Sequence, residues 1–271
     1  MTVGGLTKAC TRPPQKARRR VHALSSSTEK MMEQDEKDYG SQYWLRVAVN
    51  GARDVINREV RAVVALAAGE EIEWISPLAP AYTEYQDQQF VDQLRITLPA
   101  VPLKDFWPKG GPVWDALART PKGRVFLIEA KAHIPEIDSP GSGASPRSLQ
   151  RIAKSLNETR TFLNANPIVD WTRTFFQFTN RLAHLYLLRK LNDIDAYLLN
   201  VYFINEARMK GPSNVEEWKG ALALLKTHLG ITRTKMTPFM KDLFIDVDEL
   251  RQVSNKRLQA DGLQPTASGH R

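Results

Sequence analysis

Three charged residues lie where charge is costly. Asp115 interrupts the apolar run VWDALA, and Glu129 and Lys131 interrupt VFLIEAKAH. A charge in a buried strand costs on the order of several kcal/mol unless it is paired or bound to a metal. Between the two runs, Pro121-Lys122-Gly123 reads as the loop of a hairpin. With that three-residue loop Thr120 faces Arg124, and counting outward puts Asp115 directly opposite Glu129. Opposed residues project from one face of a sheet, and so does Lys131, two positions beyond Glu129. A two-residue loop would shift the register by one and break the match. Carboxylates this close repel each other, so one tends to keep a proton. A divalent cation removes the conflict. Mg²⁺ accepts one or two carboxylates and keeps waters and phosphate oxygens in its other positions. It polarises phosphoryl oxygens and acidifies a bound water, while a neighbouring lysine orients that water and offsets transition-state charge. The chemistry open to this set is phosphodiester hydrolysis. The competing reading is a structural salt-bridge cluster of Asp115 and Glu129 with Lys131 and Arg119 or Arg124.

Periodicity supplies the elements that must position these residues. From Ser41 to about Ala68, Leu45, Ala48, Ala52, Val55, Ile56, Val63 and Leu66 make one apolar stripe. They predict a single long helix closed by Gly69. Ile72–Leu78 predicts a strand ended by Pro77 and Pro80, and residues 80–110 read as irregular with a short helix near Phe90–Leu94. The hairpin strands are Val113–Arg119 and Arg124–Ala132. After a Pro/Gly/Ser-rich loop, Pro135 to Ser145, a second helix opens with Ser145 as N-cap and Pro146 in its first position, and runs to about Leu163. A third helix covers Trp171 to Leu191. Ala196–Asn205 is nearly all apolar, as a strand buried on both faces would be. A capping box, Ser213 with Glu216, opens a fourth helix that stops before Gly230, and Leu243–Val247 predicts a last strand. Strands alternating with helices around a hairpin predict an α/β (α+β) domain over residues 41–253, a three-layer α-β-α sandwich around a mixed sheet.

Asp115, thirteen intervening residues and then Glu129-Ala130-Lys131 on the second strand of a hairpin resemble the PD-(D/E)XK nuclease superfamily. That superfamily has the restriction-endonuclease-like fold. Its core order of helix, three-stranded meander, helix and strand maps onto 41–68, then 72–78, 112–119 and 124–132, then 146–163, then 196–205, with the third helix as an insertion. The resemblance implies a Mg²⁺-dependent (or Mn²⁺-dependent) phosphodiesterase acting on nucleic acid, with DNA the favoured substrate over RNA. Asp115 and Glu129 would be its metal ligands and Lys131 its catalytic lysine. Trp114 rather than proline precedes Asp115, with Pro112 further back. Many members place another acid on the first helix. Glu59, bordering the apolar stripe, is the candidate third metal ligand, with Asn57, Glu73 and Glu84 as alternatives. A function of another class carries the same residues: a fold relative that no longer cleaves and serves as a nucleic-acid-binding or interaction module.

Other polar residues are less specific. Gln177, Arg181 and His184 recur at helical spacing, either to bind phosphate and position water or as the solvent side of a core helix. Arg147, Arg151 and Lys154 make a basic stripe on the second helix, either contacting a nucleic-acid backbone or simply solvated. His133 shares the face of Lys131 if the strand continues, but reads best as a strand-end histidine. Trp74, Trp107, Trp114, Phe175 and Phe176 read as core rather than stacking platforms.

The 271 residues are 42% hydrophobic and 25% charged, which excludes a fully disordered chain, a collagen and a coiled-coil rod. No apolar run is long enough to span a membrane, so no membrane partner is expected. Cys10 alone cannot build a disulfide framework or a Cys-based zinc site, and it suits the cytoplasm. The net charge of +8 is concentrated near the ends: +6 in residues 1–28, −3 in 29–40, +2 in 254–271 and only +3 in 41–253. A basic balance suits an acidic partner such as nucleic acid. Residues 1–40 read as a flexible basic arm and 254–271 as a disordered tail. The arm has three readings: phosphate contact, an organellar targeting peptide, or translation that begins at Met31 or Met32. No nucleotide-binding loop, helix-turn-helix or zinc finger is present. A homodimer is compatible with cutting both strands of a duplex.

Overall fold

The computed structural model describes Met1 and residues 38–260, so the expectations for residues 2–37 and 261–271 lie outside the described residues. The first apolar stripe folds as two helices, α1 (Ser41–Asn50) and α2 (Arg53–Val63), rather than one. Gly51 separates them. Glycine is a weak helix former, and a Cβ at this position would lie 2.6 Å from the Ser254 hydroxyl.

β1 (Glu73–Ser76), α3 (Asp87–Leu94) and the single turn α4 (Leu103–Phe106) follow. The hairpin strands are β2 (Ala116–Arg119) and β3 (Val125–Lys131). α5 (Pro146–Leu163) has the expected bounds, and the Ser145 hydroxyl caps it by accepting from Ser148 N at 3.4 Å. α6 begins later than expected, at Phe176 (Phe176–Tyr186), because Phe175 adopts a left-handed conformation with φ 50°. It then runs into a π-helical turn, Leu187–Leu191. β4 is Ala196–Ile204. α7 (Val215–Leu229) is capped by Asn214 accepting from Glu217 N at 3.1 Å, one residue beyond the predicted box. β5 (Met240–Asp246) leads directly into α8 (Val247–Ala260). Residues 254–260, expected in a disordered tail, are therefore helical.

The five strands form one mixed sheet in the order β1-β2-β3-β4-β5. β1, β2 and β3 are an antiparallel meander, while β3, β4 and β5 run parallel. On one face α1, α2 and α8 bury Trp44, Ile56, Val60 and Leu250 against Ala118, Phe126, Ile128, Ala130 and Val201. On the other, α3 to α6 pack against Leu117, Val125, Leu127 and Leu198. α7 covers Tyr202 on that same face through Trp218, their rings 4.8 Å apart. The chain is thus a mixed α/β protein compatible with a three-layer sandwich. No helix among the described residues is long and apolar enough to cross a membrane.

The hairpin register is the detail that matters for the site. Leu117 pairs with Leu127 and Ala116 with Ile128, and Thr120 N donates to Arg124 O at 2.8 Å. That is the three-residue-loop register. It sends Val125, Leu127, Glu129 and Lys131 to the face covered by α5 and α6.

Candidate active site

Asp115 immediately precedes β2, and its Oδ2 accepts the Ala130 N–H at 2.7 Å, which fixes its carboxyl between Glu129 and Lys131. Glu129 is only 8% exposed. Lys131 Nζ holds its Oε1 at 2.6 Å, and Arg181 holds its Oε2 through both Nε and Nη2 at 2.8 Å. Arg181 also donates to Asn180 Oδ1 and Val113 O, each at 2.9 Å, and lies 5.4 Å over the Trp114 ring. Lys131 reaches Gln177 Oε1 at 3.2 Å. Arg119 and Arg124 do not join this cluster: they pair with Glu73 and Asp195.

The two carboxylates are driven apart in proton affinity. Burial, reinforced by the Glu129 charge, pushes Asp115 up to about 8 against the pull of Lys131, the Ala130 N–H and Arg181. Burial would raise Glu129 too, but Arg181 and Lys131 outweigh it and hold Glu129 below the usual carboxylate range. Burial favours a neutral Lys131, yet Glu129 and Asp115 overcome this and raise it. At neutral pH Asp115 therefore keeps a proton, Glu129 is ionised and Lys131 is charged.

Glu59, the expected third ligand, is not brought to Asp115 and Glu129. Glu59 lies on α2, which packs on the opposite face of the sheet from Glu129. It pairs with Arg58 at 2.9 Å, and Arg58 also bridges to Glu249 at 2.8 Å. Among the alternatives, Asn57 accepts from the Trp74 indole at 2.9 Å, and Glu73 is taken by Arg119. Glu84 approaches the site instead. Burial and the Glu129 charge raise its proton affinity, and Gln42 donates to it at 3.1 Å. The isolated bridge between Tyr85 and Trp114 brings it there, since Tyr85 adjoins Glu84 and Trp114 adjoins Asp115.

The donor set suits a hard cation bound through oxygen. Asp115 and Glu129 would be its ligands, and Glu84 is near enough to feel the Glu129 charge. Each carboxylate oxygen engaged by a hydrogen bond retains acceptor capacity. Among the described residues no three His, Cys, Asp or Glu side chains form a group that could hold a metal ion.

β4 adds residues not singled out from the sequence. Asn200 pairs in register with Glu129, and Tyr202 with Lys131. Asn200 Nδ2 donates to Asp242 Oδ1 at 3.1 Å, and Asp242 pairs with Lys226. A pocket of about 20 Å³, room for a water molecule, is lined in part by Glu129, Lys131, Gln177, Asn200 and Tyr202. The lone Asn in the apolar run LLNVYF was the available signal.

The polar stripe on α6 divides, with Arg181 and His184 buried and Gln177 exposed. Arg181 is 7% exposed and committed to Glu129. His184 is 1% exposed, among the rings of Phe90, Phe106, Trp107 and Trp114. Burial brings it down to about 4, so it is neutral and out of reach of nucleic acid. Gln177 is exposed and holds Lys131. Arg147, Arg151 and Lys154 lie on the exposed side of α5, where Arg151 also donates to Lys104 O at 2.9 Å. His133 pairs with Glu136 at 2.5 Å just past the end of β3. Trp74, Trp107 and Trp114 are core, and Phe175 and Phe176 are half-buried.

Compared with protein-family models, curated proteins and solved structures, the chain matches none.

Proposed function

We propose that the protein is a cytoplasmic, metal-dependent nuclease of the PD-(D/E)XK type, hydrolysing phosphodiester bonds in DNA on a restriction-endonuclease-like core. The observation that carries this reading is the hairpin register, which brings Asp115 against Glu129 and Lys131 on one face of the sheet. The lone Cys10 suits a reducing compartment.

Bound Mg²⁺ or Mn²⁺ would polarise the phosphoryl oxygen and acidify a water. Asp115 and Glu129 would hold the cation, and Asp115 must release its proton to do so. Arg181 keeps Glu129 ionised and fixed in position. Lys131, braced between Glu129 and Gln177, presents its ammonium at the edge of the water-sized pocket. There it orients an attacking water and offsets the negative charge that develops on the phosphoryl group.

One observation favours a second reading. Lys131 and Arg181 already neutralise Glu129 from both sides, so the fold needs no metal to tolerate it. A non-cleaving nucleic-acid-binding or interaction module accommodates that balance. A cleavage assay separates the two. Supercoiled DNA, linear DNA and single-stranded RNA are incubated with Mg²⁺, Mn²⁺ or EDTA, beside Asp115→Ala and Lys131→Ala. Metal-dependent cutting abolished by both substitutions is the expected result. No cutting, with no stabilisation by Mn²⁺ in thermal melts, would leave the binding module.

A further inference from the structure

A larger cleft of about 620 Å³ adjoins the site, sharing Gln177 and Arg181 with the small pocket. One wall is the segment 107–113 (WPKGGPV). The other is 139–145 (SPGSGAS) with the first turns of α5, and α6 contributes Phe176 and Asn180. Both walls are tied down. Asp87 accepts from Gly110 N at 3.0 Å and Gly111 N at 2.9 Å, and Ser142 N donates to Thr172 O at 2.8 Å.

The lining holds no carboxylate, and Lys109 and Arg181 are its cations. Asn180 is 6% exposed. Its Oδ1 is taken by Arg181, while its Nδ2 donor meets no acceptor among the described residues. That donor keeps contact with solvent, and Asn180 lines the cleft, where the amide can donate to an acceptor on a ligand. The volume falls within the roughly 300–1,000 Å³ range of ligand pockets, the scale of a nucleotide or two. Duplex binding instead draws on many phosphate contacts along the backbone. Lys109 is the one cation of the lining not committed to Glu129, and Phe176 offers a half-buried ring for stacking.

We propose that this cleft seats single-stranded nucleic acid, holding the nucleotides next to the phosphodiester presented to Lys131. The assignment of that phosphodiester rests on the nuclease reading, but strand binding does not require cleavage and is tested without it.

The full chain is titrated in EDTA with fluorescent oligothymidylate, oligouridylate and a blunt DNA duplex of equal length, and anisotropy is read. Single strands should bind about tenfold or more tightly than the duplex, and the two single-stranded arms tell DNA from RNA. Gly143→Trp puts a bulky ring on the cleft lining at a position where a Cβ meets nothing within 4 Å. It should weaken strand binding about tenfold with an unchanged melting temperature. If that variant melts early, Lys109→Glu decides, with the same loss expected. Preference for duplex, or single-strand affinity unmoved in the folded variant, overturns the proposal. Strand binding without metal-dependent cleavage would sink the nuclease reading alone, and cleavage with no cleft effect would sink the cleft alone.

Discussion

Arg181 on α6 grips Glu129 on β3, its Nε donating to a carboxylate oxygen that Nη2 also approaches to 2.8 Å. Both side chains are nearly buried, so this pair joins the sheet to its helical layer through charge that water cannot screen. Breaking such a pair from one side leaves an uncompensated charge and costs on the order of 3–5 kcal/mol. Arg181→Gln is therefore expected to lower the urea midpoint and the melting temperature strongly. Arg181→Lys, which keeps the charge but not the paired donors, should fall between. Denaturation indistinguishable from wild type would show that Glu129 is satisfied by Lys131 alone.

Asp115 gives the apo protein a pH signature. Its folded-state value of about 8 stands above the ordinary 3.8. A carboxyl raised on folding contributes stability that is complete below the unfolded value and is lost as pH rises through the folded one. Each pKa unit corresponds to about 1.4 kcal/mol. From pH 5 to pH 9 in EDTA, wild type should therefore lose on the order of a few kcal/mol relative to Asp115→Asn. Parallel stability–pH curves for the two proteins would refute the raised value.

Lys131→Ala should leave strand binding in EDTA within about threefold of wild type while lowering metal-dependent cleavage by about 100-fold or more. Single-turnover assays at saturating DNA report the chemistry separately from binding. Cleavage at the wild-type rate would remove Lys131 from the mechanism.

How much of this was legible depended on whether a feature was local. The hairpin was readable because Pro121-Lys122-Gly123 sets both the turn and the register, and the alternation along β3 then assigns Glu129 and Lys131 to one face. The start of α5 was readable from Ser145-Pro146 for the same reason. Glu59 was misplaced because helical periodicity identifies an apolar stripe but not which face of the sheet that stripe covers. α2 packs on the face of Phe126 and Ile128, away from Glu129. The stripe of Gln177, Arg181 and His184 read as phosphate-binding or solvated because no local pattern reveals a buried carboxylate on a strand 52 residues distant. The break at Gly51 reflects the approach of Ser254 from the far end of the chain.

Glu84 is the sharpest contrast with Glu59. It sits in an irregular segment with no periodic signal, and the long-range bridge of Tyr85 to Trp114 delivers it to the site. Its proton affinity is raised by burial and by the Glu129 charge, so a cation held by Asp115 and Glu129 should draw on its negative charge as well. Removing an outer acid of this kind typically weakens metal binding by about 10- to 100-fold. Thermal-shift titration with Mn²⁺ should give about a tenfold weaker apparent affinity for Glu84→Gln. Glu59→Gln should titrate like wild type, because Glu59 pairs with Arg58 on the opposite layer. The reverse ranking would restore the helix acid as a ligand and require α2 to turn toward the site.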